Sequence, residues 1–178
     1  MNNSIERVLI SEEKLKEIVS EVAQKINSEF GDEEVLLVII LKGSIVFATD
    51  LMRKLDMPVM IDFMQASSYG AGTQSTRVVN IKLDLKADIE GKNVILIEDI
   101  IDSGNTLRNL KAMLLKRNPK TLRICTLLDK PERRETEIEP DYVGTAIPDE
   151  FVVGYGLDYN ENFRELPYIG VLSRHVYE

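Results

Sequence analysis

"NVILIEDIIDSGNTLRNLKAMLLKR", residues 93–117, sets an aliphatic run, an acid cluster and an amphipathic segment in direct succession. Residues 93–97 read as a strand whose Val94–Ile97 run is continuously apolar, the pattern of a strand covered on both faces in a parallel sheet. From Asn105 onward, Leu107, Leu110, Met113 and Leu114 recur at three- and four-residue spacing and predict a helix over 105–117. A strand feeding a helix through a short connection is half of a βαβ unit. Between the two, "EDIIDSGNT" brings Glu98, Asp99 and Asp102 within five positions. Carboxylates that close repel one another, so the stretch is either a solvated loop or a place that faces something cationic.

Outward from this stretch the same alternation continues. Residues 11–29 predict an amphipathic helix through Leu15, Ile18, Val19, Val22 and Ile26, with Ser11 to cap it and Gly31 to end it. Residues 35–41 read as a buried strand, 43–55 as a second helix and 58–64 as a strand. "QASSYGAGTQST", 65–76, reads as a long mobile loop, and β-character resumes over 77–83. Further short strands are expected at 121–128, 141–147, 151–156 and 168–172. The fold class is therefore α/β, a mostly parallel twisted sheet flanked by helices on both sides, in a single domain over 1–178. Ligands in such sheets sit beyond the carboxyl ends of the strands, and the acid cluster is expected there, between strand and helix.

Composition removes several function classes. Net charge is −8, from 22 basic and 30 acidic residues, which argues against a nucleic-acid surface but allows a local anion pocket. The longest apolar run, Val35–Leu41, is far too short to span a membrane. The N-terminus shows neither a basic n-region nor an apolar h-region, and the single cysteine, Cys125, reads as a core residue; a cytoplasmic location is expected. One histidine, His175, gives no support to Ser-His-Asp or Cys-His chemistry or to a zinc site. No G-x-x-x-x-G-K-[ST] is present, and "GYGLDYN" at 154–160 has Tyr159 where a dinucleotide fingerprint needs its third glycine.

Ser103, Gly104, Asn105 and Thr106 lead into a helix N-terminus, where unsatisfied N–H groups favour a phosphate and Gly104 allows close approach. A simple N-cap by Ser103 or Thr106 is the plainer alternative. Three carboxylates nearby would repel a phosphate unless magnesium or hydroxyl groups lie between, so the loop reads as a site for a magnesium-bound sugar phosphate.

An aliphatic run, two acids, two aliphatics, Asp, Ser, Gly, a variable residue and Thr together resemble the phosphoribosyl diphosphate signature of the phosphoribosyltransferases. "ILKGS" (40–44), "SSYG" (67–70), "LLDKPERR" (127–134) and "FVVGYGLDYNENFRELPYIGVL" (151–172) narrow the resemblance to the hypoxanthine-guanine branch. It runs from about Arg7 to Tyr177. The resemblance implies the type I phosphoribosyltransferase fold, with a small hood built from the terminal segments. It also implies transfer of a phosphoribosyl group to hypoxanthine, and to guanine, with magnesium as cofactor.

In that family pattern Asp102 is the general base for the purine N7 proton. Glu98 and Asp99 hold the ribose hydroxyls and magnesium, and Asp158 is a ligand to a second magnesium. Ser103, Gly104, Asn105 and Thr106 clasp the 5′-phosphate. The backbone at Lys42 and Gly43 binds diphosphate after a non-proline cis peptide, with Arg164 adding a charged contact. Ser68 and Tyr69 ride on a closing loop. Lys130 donates to the 6-oxo group, Phe151 stacks on the base and the Val152 backbone reads its edge. A homodimer or homotetramer is implied as well.

Taken without the family, Phe151 reads as plain core and Lys130 as a solvated turn. Thr145 departs from the family by standing where a bulky aromatic is usual. Two alternatives remain in view. A phosphoribosyl diphosphate-binding regulator that reads nucleic acid is disfavoured by the net charge of −8 and the chain length. A transferase for adenine or uracil is disfavoured by Lys130 with Phe151-Val152.

Overall fold

A computed structural model describes residues 4–68 and 79–177. In chain order the elements are β1 (Ile5–Ile10), α1 (Glu12–Phe30), β2 (Val35–Ile40), α2 (Ile45–Met52), β3 (Val59–Ser68), β4 (Val79–Leu83), β5 (Asn93–Ile101), α3 (Asn105–Leu115), β6 (Thr121–Asp129), β7 (Tyr142–Ala146), β8 (Val152–Val153) and β9 (Ile169–Leu172). Every residue of β2 is buried, because its side chains serve two cores. Val35, Leu37 and Ile39 face one, packed with Leu15, Val19 and Ile26 of α1 and Phe47 and Leu51 of α2. Leu36, Val38 and Ile40 face the other, with Leu107, Leu110 and Leu114 of α3. An unbroken aliphatic run is what a strand needs when helices cover both of its faces. Ser11 caps α1 by accepting from the Lys14 amide at 3.2 Å, and Gly31 ends it at φ 57°.

The main sheet has the order β4-β3-β2-β5-β6-β7. All its pairings are parallel except β3 with β4. From β2 the chain crosses through α2 to β3 on one side. From β5 it crosses through α3 to β6 on the other. The β2/β5 boundary is thus the switch point at which a crevice opens. Val35↔Asn93 through Ile39↔Ile97 keep the two strands in register, so their carboxyl ends lie side by side.

A second, antiparallel sheet of order β1-β9-β8 joins the two ends of the chain as the hood. The sequence reading did not expect β1, whose "IERVLI" is interrupted by polar residues and largely exposed. Arg7 secures it by donating through Nη2 to both carboxylate oxygens of Glu150 at 2.6 Å.

Three expected boundaries need correction. Residues 65–68 belong to β3 rather than to a loop, because β4 pairs with them from Gln65↔Leu83 to Ser68↔Val79. The helix expected over 43–55 is confined to Ile45–Met52. The strand expected over 151–156 is only Val152–Val153, because Gly154, Tyr155 and Gly156 take φ values of 99°, 51° and 101° and curl out of the sheet. Thr145 lies on the edge strand β7, opposite Leu128. Among the described residues no helix is long and apolar enough to cross a membrane.

Candidate active site

β5 does not stop at Ile97. Strand β6 goes on pairing with it through Glu98↔Thr126 and Ile101↔Asp129, so Glu98 and Asp99 stand on the strand and not in the loop expected for them. Only Asp102, Ser103 and Gly104 connect β5 to α3. The carboxylates are oriented locally: Glu98 Oε1 accepts from the Asp99 amide at 3.1 Å, and Asp99 Oδ1 from the Ile100 amide at 2.7 Å.

A cleft of about 400 Å³ opens here. Its walls include Lys42 and Gly43 after β2, Glu98, Asp99, Asp102, Ser103, Gly104 and Thr106, with Asp158 and Arg164 from the segment between β8 and β9. The Leu41–Lys42 peptide is cis, as the family resemblance implied. A Cβ placed on Gly43 would lie 1.7 Å from Asp99 Oδ2, so glycine alone lets this loop close onto the acid pair.

Glu98 and Asp99 are partly buried, and among the described residues neither is ion-paired. Burial, and then the adjacent Asp99 charge, push the Glu98 carboxyl well above its ordinary value. Burial also lifts Asp99, with the field of Arg164 pulling the other way. Two desolvated carboxyl groups side by side resist ionising together, and a cation or a diol that donates to both relieves that repulsion.

Among the described residues no group of three or more His, Cys, Asp or Glu side chains is placed to hold a metal alone. Magnesium does not require one, since it commonly takes one or two carboxylates together with substrate phosphates and water. The acid pair fits that habit. Asp158 Oδ1 lies 2.9 Å from Arg164 Nη2, so that carboxylate is already paired.

At the phosphate end Gly104 is itself the N-cap of α3, at φ 80° and without a side-chain cap bond. Neither Ser103 nor Thr106 holds the N-cap position itself. Ser103 Oγ instead accepts from the Asn105 amide at 3.3 Å and from its side chain at 3.1 Å. Asn105 also donates to Glu135 Oε2 at 2.9 Å and is not among the cleft walls. Arg164 donates through Nη1 to the Gly156 carbonyl at 2.8 Å, while its buried Nε has no partner among the described residues.

The residues expected to read the base lie beside this cleft rather than in its walls. Lys130 is only 11% exposed; its Nζ donates to the Glu150 carbonyl at 2.7 Å, and its amide to Ile101 at the end of β5 at 2.9 Å. Phe151 is 39% exposed, which removes the reading of it as core. Its ring meets Tyr159 edge-on and stacks on Tyr177 at 5.0 Å. Val152 is buried in β8. The Ser68 side chain and all of Tyr69 lie outside the described residues.

A family model for the phosphoribosyl transferase domain matches residues 9–160. The chain belongs to the phosphoribosyltransferase family. The relatives narrow the branch. The hypoxanthine-guanine phosphoribosyltransferase of Streptococcus pneumoniae is 48% identical over 177 residues, 99% of this chain and 98% of that one. The hypoxanthine phosphoribosyltransferase of Salmonella typhimurium is 49% identical over 172 residues, 96% of each chain. A crystal structure of a hypoxanthine phosphoribosyltransferase from Staphylococcus aureus superposes with TM-score 0.96 at 47% identity, covering 100% of this chain and 97% of that one.

This phosphoribosyltransferase site contains two arginines that the sequence reading passed over. Arg133 donates through Nε to Asp102 Oδ1 at 2.6 Å and reaches Asp149 at 3.5 Å, and Asp149 lies 3.6 Å from Lys130. Arg134, 11% exposed, donates to Asp129 at 2.7 Å, to the Asp102 carbonyl at 2.8 Å and to the Ile138 carbonyl at 3.2 Å. It thereby locks the backbone of the loop that carries Asp102. The available signal was the Arg doublet directly after Lys130-Pro131-Glu132.

Proposed function

We propose that this chain is a purine salvage enzyme, a hypoxanthine-guanine phosphoribosyltransferase that makes IMP from hypoxanthine and GMP from guanine, releasing diphosphate. The observation that carries the reading is the meeting of a carboxylate pair with the glycine-capped N-terminus of α3 in one cleft, at the β2/β5 switch point. In such a cleft the sugar diol lies against Glu98 and Asp99, and Ser103, Gly104, Asn105 and Thr106 take the 5′-phosphate. Lys42, Gly43 and Arg164 hold the diphosphate. As the bond from the anomeric carbon to diphosphate breaks, positive charge grows on the sugar and faces the acid pair. As purine N9 bonds to that carbon, the N7 proton becomes acidic and passes to Asp102. Arg133 occupies Asp102 Oδ1, which leaves Oδ2 for the proton.

Lys130 donates to the 6-oxo group while keeping its bond to the Glu150 carbonyl, since an ammonium has three donors. Phe151 stacks on the purine, the Val152 backbone reads its edge, and Ser68 and Tyr69 close over the reacting centre. Glu98 and Asp99, with Asp158, would hold magnesium, which neutralises leaving-group charge when bound. The chain would act as one catalytic unit, cytoplasmic, in a homodimer or homotetramer.

The test is an assay of purified protein with phosphoribosyl diphosphate, magnesium and each base. Hypoxanthine and guanine should turn over. Adenine, which sets its own amino donor against Lys130, should be slower by roughly 10⁴. Adenine turning over as fast as hypoxanthine would overturn the assignment, and no turnover with any base would favour a binding-only regulator.

A further inference from the structure

After Asp158 the chain turns back over the cleft through left-handed backbone, with Asn160 at φ 50°, Glu161 at φ 63° and Phe163 at φ 77°. Residues that carry a Cβ seldom adopt such angles. Reciprocal Tyr159–Asn162 backbone bonds of 3.2 and 3.0 Å close the turn, and the Glu161 amide donates to Asp158 Oδ2 at 2.9 Å. The result is that the Glu161 carboxylate reaches the diphosphate end of the cleft. Its Oε2 accepts from Lys42 Nζ at 2.9 Å and lies 3.5 Å from Arg164 Nη2. One carboxylate oxygen thus spans the Lys42 ammonium and Arg164, whose Nη2 also pairs with Asp158 at 2.9 Å.

We propose that Glu161 is an internal competitor of diphosphate: its carboxylate occupies contacts on the Lys42 ammonium and Arg164 that the leaving group takes, and is exchanged for it during turnover. The inference rests on the assignment of Arg164 and the Lys42-Gly43 loop to the diphosphate. A single oxygen engaging both side chains holds them at a spacing that oxygens of a bound diphosphate can take over. The exchange costs little. The Lys42 and Glu161 side chains are 55% and 65% exposed, and exposed ion pairs are weak. After the reaction the returning carboxylate competes with the product for the same donors, which limits how tightly diphosphate is retained.

The test compares Glu161→Gln, Lys42→Met and the unaltered enzyme. It measures the dissociation constant of inorganic diphosphate with magnesium, the KM for phosphoribosyl diphosphate, and kcat. Removing an internal competitor should tighten diphosphate binding by about two- to five-fold and lower that KM, with the KM for hypoxanthine unmoved. A merely structural role could only weaken binding. If Lys42→Met weakens diphosphate binding while Glu161→Gln leaves it unchanged or weaker, the competitor role is overturned and the subsite stands. If Lys42→Met has no effect on diphosphate, the Lys42 ammonium makes no contact with it and the exchange is overturned. Glu161 is largely exposed, so the variant should fold, and a thermal melt checks that it does.

Discussion

Asp102 is held at two points that do not depend on its ability to take a proton. Its carbonyl is fixed by Arg134, and its Oδ1 accepts from Arg133. Asparagine preserves both contacts, so Asp102→Asn should remove proton acceptance and little else. Single-turnover rate should fall by roughly 10² to 10⁴, the usual worth of a general base. The dissociation constant of phosphoribosyl diphosphate should stay within a few-fold of wild type. Measuring both in parallel decides: full speed in the variant would leave Asp102 as part of the phosphate cradle only. The residue was legible in the sequence because its neighbours in the signature are contiguous. Its two arginines were not, because arginine in a turn gives no local sign of which carboxylate it will meet.

Among the elements, β3 depends on a carboxylate with no part in the chemistry. Asp62 accepts from the Phe63 amide at 2.8 Å, the Lys86 amide at 2.8 Å and the Ala87 amide at 2.7 Å, which pins the β4–β5 connection to the strand bearing Ser68. Burial alone would raise its pKa, but the amides of Ala87, Phe63 and Lys86 outweigh that and hold it below the ordinary value. A depressed carboxyl stabilises the fold fully above its unfolded pKa, about 3.9, and that share is lost as pH falls through the folded value. Asp62→Asn should therefore cost about 1 to 3 kcal/mol near neutral pH, since an amide cannot serve all three donors. The gap between variant and wild type should narrow below about pH 4. Urea melts across that range would show it, and a gap independent of pH would mean that the amide bonds, not the charge, carry the effect.

For the molecule as a whole, the expected state is a homo-oligomer. Among the described residues β4 pairs with β3 only from Gln65 onward, and on the earlier half of β3 Met60 and Ile61 are 40% and 46% exposed. Exposed apolar side chains along an open strand edge favour burial against another copy. Light scattering at micromolar concentration should report a mass well above the 20.2 kDa of one chain, and a lone 20.2 kDa species would overturn the expectation.

By itself the sequence determined what depends on neighbours along the chain. The apolar spacing of α1 and α3 and the unbroken runs of β2 and β5 announced their elements and the two-sided core, because periodicity is a local property. The phosphate loop and acid pair were visible because they occupy nine consecutive residues, 98–106. Tertiary structure decided the rest. Whether β5 runs on to Ile101 depends on β6, and whether "IERVLI" becomes a strand depends on β9 at the other end of the chain. Arg133 meets Asp102 across 31 positions and Lys42 meets Glu161 across 119. Hydrogen bonds and charge pairs form by distance in space, and only the folded sheet brings those residues within reach of one another.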